Sequence, residues 1–224
     1  MQEYGIFDVV GPKMIGPSSS HTAGAARIGR IARIIANKDV KHATFILHGS
    51  FAKTYKGHGT DRALLAGVLG ILESDKDLKN AMDFARMREV TYTFEEGDLG
   101  DVHSNTVKVI ITKSTGEKVE VTGSSIGGGS IKVVELNGLP IEFTGEYTTL
   151  ITRHDDSAGM IARVSDKLAQ NEINIAFMRV FRNQKGADAF MVIETDQAIK
   201  ETIMRTIRNE VKGIKSVYLL NPMK

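Results

Sequence analysis

The chain has 224 residues, 42% hydrophobic and 25% charged, which is enough for one large or two small soluble globular domains. Its formal net charge of +2 and its lack of Trp argue against a surface built to attract nucleic acid or an anionic membrane. Cysteine is absent, which excludes disulfides, thiolate zinc sites and any iron–sulfur cluster ligated by this chain alone.

No apolar run approaches the ~18–20 residues that span a bilayer. The first residues, 1–5, lack the basic and apolar regions of a secretory signal. Both observations predict a cytoplasmic protein.

The first predicted helix follows the polar run Pro17–Thr22. Its apolar residues recur at helical spacing and form one face: Ala25, Ile28, Ala32 and Ile35. A second stripe consists of arginines: Arg27, Arg30 and Arg33. Such a stripe is more often a solvated face, with a subunit interface as the alternative.

A strand is predicted over 43–47, and a second helix near Thr60, whose hydroxyl stands in the position of an N-cap. The apolar face of that helix runs along residues 64–72. A third helix is predicted to contain residues 78–85.

From Val90 the pattern changes to Val-, Ile- and Thr-rich segments, which favour strands. They cover 90–94, 106–112, 118–122, 131–136 and 141–143. Turn signals lie at Ser114–Glu117 and Asn137–Gly138. The glycine run 127–129 either lets the backbone approach something closely or bends a strand.

The last third of the chain has the order strand-helix-strand-strand-helix-strand. The segments are 148–153, 158–170, 173–181, 188–194, 198–211 and 214–220, with a polar turn at Asn183–Gly186. This order predicts a ferredoxin-like βαββαβ unit, complete in itself. We therefore predict an α+β protein with a seam near Gly145–Tyr147, a mixed α/β domain over 1–145 and a second domain over 147–224.

The run Gly159–Ile175 resembles ACT domains, which are amino-acid-sensing regulatory modules. In that family ligands lie where the first strand enters the first helix, often at a dimer interface. The resemblance implies an effector site at Asp155, Asp156 and Gly159, and self-association through this module. The helix N-terminus favours a carboxylate, and either aspartate could pair with an ammonium group. Ala158 replaces a common proline, and the alternative is that an aspartate merely caps the helix.

The densest polar cluster is Ser18–Thr22, directly before the first helix. Hydroxyls and the free N–H groups of a helix start favour an anion. His21 is a reasonable proton-transfer group there, since its reference pKa is about 6.5. The alternative is that the serines are N-cap residues and His21 is a surface residue.

Four motifs occur in the order typical of one family: Gly16–Gly24, Gly57–Leu65, His103–Thr106 and Ser125–Ser130. Together they resemble the beta chains of iron–sulfur-dependent L-serine dehydratases, with Ser104 where proline is usual. The first domain is also similar to the allosteric substrate-binding domain of some D-3-phosphoglycerate dehydrogenases.

The resemblance implies a 4Fe-4S cluster held by the cysteines of an alpha subunit, with one iron acting as Lewis acid on the hydroxyl of L-serine. A base removes the α-proton, water leaves, and aminoacrylate hydrolyses to pyruvate and ammonia. Matched motif positions imply that the substrate carboxylate is bound by Ser18, Ser19, Ser20 and Thr22. The same matching makes His21 the base or proton relay, and it assigns the pocket wall to His58, Asp61, His103 and Asn105.

Three of the wall residues also have a structural alternative: a turn for His58, an ordinary first-turn acid for Asp61 and a strand cap for His103. His21, His58 and His103 could instead converge on a metal ion, which would make a stand-alone metal-dependent enzyme. The remaining histidines, His42, His48 and His154, are predicted to be structural or exposed. The alternative function is a non-catalytic sensor of an amino acid or anion that regulates another enzyme.

Overall fold

The structure is a computed structural model that describes residues 13–182 and 184–223. The first residues of the chain and Asn183 of the predicted turn lie outside this part. The chain divides into two compact units, residues 1–138 and 139–224. The domain limits given above, 1–145 and 147–224, stay a prediction. No helix in the described ranges is long and apolar enough to cross a membrane.

The secondary structure begins with a π-helical turn, Ser19–Gly24, and includes a 3-10 turn, Lys76–Asn80. The α-helices are α1 Ala25–Ile35, α2 Gly49–His58, α3 Thr60–Leu69, α4 Ala81–Met87, α5 Met160–Ala169 and α6 Glu201–Glu210. The strands are β1 His42–Leu47, β2 Thr91–Glu96, β3 Thr106–Thr112, β4 Lys118–Gly127, β5 Ser130–Leu136, β6 Leu139–Phe143, β7 Thr148–Asp155, β8 Ile175–Arg182, β9 Asp188–Thr195 and β10 Ile214–Leu220.

Strands β1 to β6 form one sheet in the order β2-β1-β3-β4-β5-β6. β1 is parallel to β2 and antiparallel to β3, so the sheet is mixed. Burial alternates along β1 because successive side chains point to opposite faces. Asn137 and Gly138 both have positive φ, 50° and 76°, as the predicted hairpin turn requires.

Helices α1 and α3 pack backbone to backbone, and two glycines make that possible. A Cβ on Gly29 would lie 2.4 Å from the Leu64 carbonyl oxygen, and one on Gly67 would lie 2.0 Å from that of Ala26. The apolar face predicted for the first helix, including Ile28 and Ile35, is buried in this core.

The second unit has its own sheet, β10-β7-β9-β8, in which every neighbouring pair is antiparallel. Its core joins α5 and α6 to the sheet through residues such as Val164, Leu168, Met191, Ile193 and Ile207. The predicted ferredoxin-like βαββαβ arrangement is confirmed, and with it the α+β class.

The arginine stripe is not a solvated face, so that prediction was wrong. Arg27 Nε donates to Glu73 Oε1 at 2.7 Å, and Arg30 reaches the other oxygen of the same carboxylate at 3.3 Å. Arg33 donates to the carbonyl of Val68 near the end of α3. The stripe ties α1 to α3 and to the segment that follows it.

Two further interpretations need correction, and one helix was missed. Thr60 is the first residue of α3, and the N-cap is Gly59 in the left-handed conformation. Neither Asp155 nor Asp156 caps α5, which begins after Gly159 at φ 79° without a side-chain cap. Helix α2 was not predicted, because its sequence contains two glycines, a threonine and two aromatic residues, all modest or poor helix formers.

Candidate functional site

The polar run before α1 forms a π-helical turn, a rare geometry that is frequent at functional sites. Ser18 caps it: the backbone N–H of His21 donates to Ser18 Oγ at 3.3 Å, and that of Thr22 donates to the Ser18 carbonyl at 2.8 Å. Ser19 and Ser20 lie half-buried in its first turn. The turn therefore presents hydroxyls beside the amide end of a helix, as an anion site requires.

His21 is buried, with 9% of its surface exposed, and it is not the surface residue of the alternative interpretation. Its Nδ1 lies 3.4 Å from Ser18 Oγ, and its Nε2 lies 3.1 Å from Thr54 Oγ1 and 3.5 Å from Ser50 Oγ. The ring contacts those of Phe51 and His58, with centroids 5.2 and 4.6 Å away.

Burial, and secondarily the neighbouring His58, lower the pKa of His21 below its ordinary value. The imidazole is therefore neutral at pH 7, which is the state a proton acceptor needs.

Helix α2 supplies four of the groups around His21, and of Ser50, Phe51, Thr54 and His58 the sequence predicted only His58 as a site residue. The backbone N–H groups of Ser50 and Phe51 donate to the Ser104 carbonyl, which anchors the start of the helix to the loop before β3. A Cβ on Gly49, at φ 55°, would lie 2.6 Å from that carbonyl oxygen, so only glycine fits. Tertiary contacts of this kind, rather than helix propensity, hold the helix in place.

Among the described residues of the first unit, from residue 13 on, four buried polar side-chain atoms have no hydrogen-bond partner: Thr22 Oγ1, Thr60 Oγ1, Asn105 Oδ1 and Ser125 Oγ. Two of these residues, Asn105 and Ser125, are in direct contact, and Ser125 lies against Gly24 at the end of the π-helical turn. A Cβ on Gly24 would lie 2.0 Å from Ser125 Oγ, and the Ser125 N–H donates to the Asn105 carbonyl at 2.9 Å. An unpartnered buried polar group costs about 1–3 kcal/mol, and such groups are typical of sites that a ligand completes.

The glycine run forms the turn between β4 and β5, with positive φ at Gly127, Gly128 and Gly129. Arg27 Nη1 donates to the Gly129 carbonyl at 2.8 Å while its Nε holds Glu73. The turn that follows Ser125 is thereby fixed to α1.

The wall residues are only partly brought together. His58 touches His21, whereas His103 is exposed and its Nδ1 accepts from the Asn105 N–H at 3.1 Å. Asp61 accepts from the N–H of Arg62, and burial raises the pKa of its carboxyl. Within the described ranges, no hydrogen bond or ring contact joins Asp61 or His103 to His21.

The described residues do not bring His21, His58 and His103 together as a set of three. Among residues 13–182 and 184–223, no group of three or more His, Cys, Asp or Glu side chains could hold a metal ion. His48 instead accepts from the Leu99 N–H, and His154 is buried beside Thr152, as structural histidines would be.

In the second unit, the carboxylates of the predicted effector loop already have partners. Asp156 accepts from Arg182 and from the N–H of Gly186, both at 2.9 Å, and Asp155 pairs with Lys215 at 2.9 Å. The Gly186 N–H bond and then Arg182 lower the pKa of the Asp156 carboxyl. Hydrogen bonds and ion pairs therefore connect the loop to residues of β8 and β10.

Comparison with known proteins gives two family matches: the serine dehydratase beta chain family over residues 6–90 and the ACT domain family over residues 148–211. The chain is 41% identical over 208 residues to the "L-serine dehydratase, beta chain" of Peptoniphilus asaccharolyticus, covering 92% of this chain and 94% of that protein. It is 44% identical over 204 residues to the "Probable L-serine dehydratase, beta chain" of Bacillus subtilis, covering 91% and 92%.

A more distant similarity links the chain to a different enzyme. It is 30% identical over 200 residues to the D-3-phosphoglycerate dehydrogenase of Bacillus subtilis, covering 88% of this chain but 37% of that protein. The resemblance of the first domain to part of that enzyme is thus confirmed.

Proposed function

Because this chain belongs to the family of L-serine dehydratase beta chains, we propose that it is one subunit of an L-serine ammonia-lyase. The complete enzyme would dehydrate and deaminate L-serine to pyruvate and ammonia. The observation that carries the proposal is a buried, neutral imidazole, His21, set in a hydroxyl-rich helix start beside unpaired polar atoms.

The residues of this chain do not fit the ligand set of a 4Fe-4S cluster. Such clusters are held by cysteine thiolates, and none of the 224 residues of this chain is a cysteine. The described part also lacks a three-residue His, Asp or Glu group suited to a metal ion. We therefore place the cluster on a cysteine-bearing alpha subunit, without which this chain would be inactive.

The groups of this chain divide into a binding set and a proton-transfer group. The hydroxyls and first-turn amides of Ser18–Ser20, with Thr22, would hold the substrate carboxylate, because a helix start and neutral donors suit an anion. His21 would accept or relay the proton. The pocket wall would comprise His58, Asp61, His103 and Asn105.

The decisive test is to co-express the chain with a cysteine-bearing partner under anaerobic conditions and to measure pyruvate formation from L-serine. We expect turnover from the cluster-loaded complex and none from either chain alone. A correctly loaded complex that forms no pyruvate would remove the lyase assignment.

The second unit supports a regulatory proposal alongside catalysis. ACT domains sense amino acids, and here Asp155, Asp156 and Gly159 lie at the predicted strand-to-helix loop. We propose that an amino-acid effector binds at this loop and that the module self-associates.

A second candidate function is a non-catalytic sensor that regulates another enzyme. It is favoured by the similarity to D-3-phosphoglycerate dehydrogenase, of which the chain covers only 37%. L-serine binding by the isolated chain, together with an inactive partner complex, would support the sensor. Pyruvate formation by the complex would contradict it.

A further inference from the structure

Thr54, in the middle of α2, is not one of the predicted site residues, yet its hydroxyl is the nearer of the two hydroxyls that face His21 Nε2. We propose that Thr54 is a positioning residue that holds His21 in the tautomer protonated at Nε2, so that the Nδ1 lone pair faces Ser18 Oγ. The tautomer itself does not depend on the proposed function; only its use in proton transfer rests on that function.

The hydrogen of the Thr54 hydroxyl already has an acceptor. Thr54 Oγ1 donates to the Ser50 carbonyl at 2.8 Å, one turn earlier in the helix, which is the usual bond of a helical threonine. A hydroxyl has one hydrogen and two lone pairs. The oxygen is therefore left as an acceptor for Nε2, 3.1 Å away, which favours a hydrogen on Nε2. The Ser50 hydroxyl, 3.5 Å from the same nitrogen, is a second and more distant acceptor.

The other side of the ring has the complementary arrangement. Ser18 Oγ accepts the backbone N–H of His21 at 3.3 Å, so one of its lone pairs is occupied. Its own hydrogen is free to point to Nδ1, 3.4 Å away. A neutral imidazole has one donor and one acceptor nitrogen, and this assignment satisfies both with the hydroxyls present.

The ring cannot exchange these roles by flipping freely, because it is enclosed. It is 9% exposed and lies edge-on to both Phe51 and His58. His58 is the titratable side chain that the described residues place against it. In functional histidines, the hydrogen bond made by the second ring nitrogen commonly sets the tautomer. Here a neutral hydroxyl takes the place of the usual carboxylate.

The consequence concerns the route of a proton. If the proposed function holds, the basic atom is Nδ1, which faces Ser18 Oγ at the carboxylate-binding turn. Nδ1 would accept the proton that leaves the ligand, while the Ser18 hydroxyl turns toward the substrate carboxylate. The imidazole would become imidazolium, and the electrons of the broken bond would stay on the ligand.

Nuclear magnetic resonance of the full chain with ¹⁵N-labelled histidine tests the tautomer directly. At about pH 8, above the reference histidine pKa of about 6.5, two-bond ¹H–¹⁵N correlations distinguish a protonated from an unprotonated ring nitrogen. We expect Nε2 of His21 to be protonated and Nδ1 to be unprotonated. The signals are assigned by their loss in His21→Asn. The opposite tautomer in the wild-type chain overturns the proposal without any further variant.

Thr54→Val keeps the β-branched shape and removes the acceptor, so the two ¹⁵N shifts of His21 should move toward each other as the tautomers mix. Thr54→Ser retains the hydroxyl and should retain the wild-type shifts. Thr206→Val, at a mid-helix threonine of α6 in the other unit, is the matched control and should leave His21 unchanged. Unaltered shifts in a folded Thr54→Val chain would contradict the role of Thr54.

Activity of the partner complex separates this proposal from the one it extends. We expect Thr54→Val to lower kcat by about tenfold or more, with a smaller change in KM, because the basic atom is misplaced. Undiminished turnover in Thr54→Val, with the tautomer changed, would overturn its importance for proton transfer. Undiminished turnover in His21→Asn would instead remove the catalytic role of His21, while the tautomer measurement would stand.

Discussion

At the scale of single residues, His21 combines three properties that seldom occur together on a helix-capping turn. It is buried, it is held by hydroxyls at both ring nitrogens, and its neighbour is a second histidine. Two of these properties favour the neutral ring, because burial lowers the pKa of His21 and the neighbouring His58 lowers it further.

Replacing this ring should abolish chemistry without disturbing assembly. In the partner complex, His21→Ala should lower kcat by about 10²- to 10⁴-fold, the usual contribution of a general acid–base group. Size-exclusion chromatography should show an unchanged complex. His42→Ala, on β1, is the control and should retain activity. Near-normal turnover in His21→Ala would indicate that the catalytic base lies on the other chain.

The two buried histidines also predict how stability depends on pH. Burial lowers the pKa of both His21 and His154 in the folded chain. In the unfolded chain both titrate near the reference pKa of about 6.5, so the unfolded state binds more protons below that pH. These two histidines should therefore not reduce the free energy of unfolding above pH ~6.5. That free energy should fall as the pH drops toward their lowered pKa values.

Urea unfolding at a series of pH values from neutral to mildly acidic measures this dependence. The slope of unfolding free energy against pH should be smaller in His154→Gln and smallest in the double variant with His21→Asn. A slope that both variants leave unchanged would show that other groups cause the acid sensitivity.

At the scale of elements, close helix contacts and a buried ion pair fix the frame behind the site. Helix α1 carries the π-helical turn at its start, and it is joined to α3 through glycine contacts and through the arginine stripe. Arg27 adds a bond to the turn between β4 and β5. The position of Ser125 thus depends on the packing of α1.

A methyl group at the helix crossing should therefore be destabilising. In Gly67→Ala the new Cβ would meet the Ala26 carbonyl, and we expect a loss of about 1–3 kcal/mol from overpacking. Gly57→Ala is the control, since no described atom outside α2 lies within 4 Å of its Cβ position. That change should stabilise the chain by about 0.5–1 kcal/mol through helix propensity. Equal effects of the two changes in urea unfolding would contradict the close contact.

The buried ion pair can be tested in the same way. Glu73→Gln leaves Arg27 buried without its carboxylate, so the chain should lose about 3–5 kcal/mol of unfolding free energy. Asp83→Asn removes the exposed partner of Arg86 and should change the unfolding free energy by less than about 1 kcal/mol. A small effect of Glu73→Gln would mean that Arg27 is satisfied by the Gly129 carbonyl alone.

At the scale of the whole molecule, the chain contains two compact units and two β-sheets. The first carries the proposed half of an active site, and the second carries the ACT module. The absence of cysteine adds a requirement for a partner chain to the proposal. Catalysis and regulation should accordingly be separable by mutation.

Asp156→Ala tests this separation. It removes the acceptor of Arg182 and of the Gly186 N–H, so the loop before α5 should loosen and the response to an amino-acid effector should change. Calorimetry with L-serine as the probe measures binding, and pyruvate formation measures basal turnover, which should persist. Glu201→Ala, in an exposed pair on α6, is the control. Absence of L-serine binding to the intact protein would contradict the choice of L-serine as effector.

The sequence by itself determined the order of nearly all elements, because periodicity, hairpin signals and helix-start residues are local properties. It also determined the family, through motifs such as Gly16–Gly24, and the polar character of the turn that contains His21. The ferredoxin-like order of the last third was equally visible, since alternation of strands and helices needs no knowledge of distant contacts.

Only the tertiary structure decided what surrounds His21. Helix α2 has weak intrinsic propensity and depends on the Ser104 carbonyl, so its Thr54 could not be connected with a residue 33 positions earlier. The arginine stripe looked solvated because its partner, Glu73, lies 46 residues from Arg27 in the chain. Pairings between residues so distant in sequence follow from how helices and strands pack, and no local pattern encodes them.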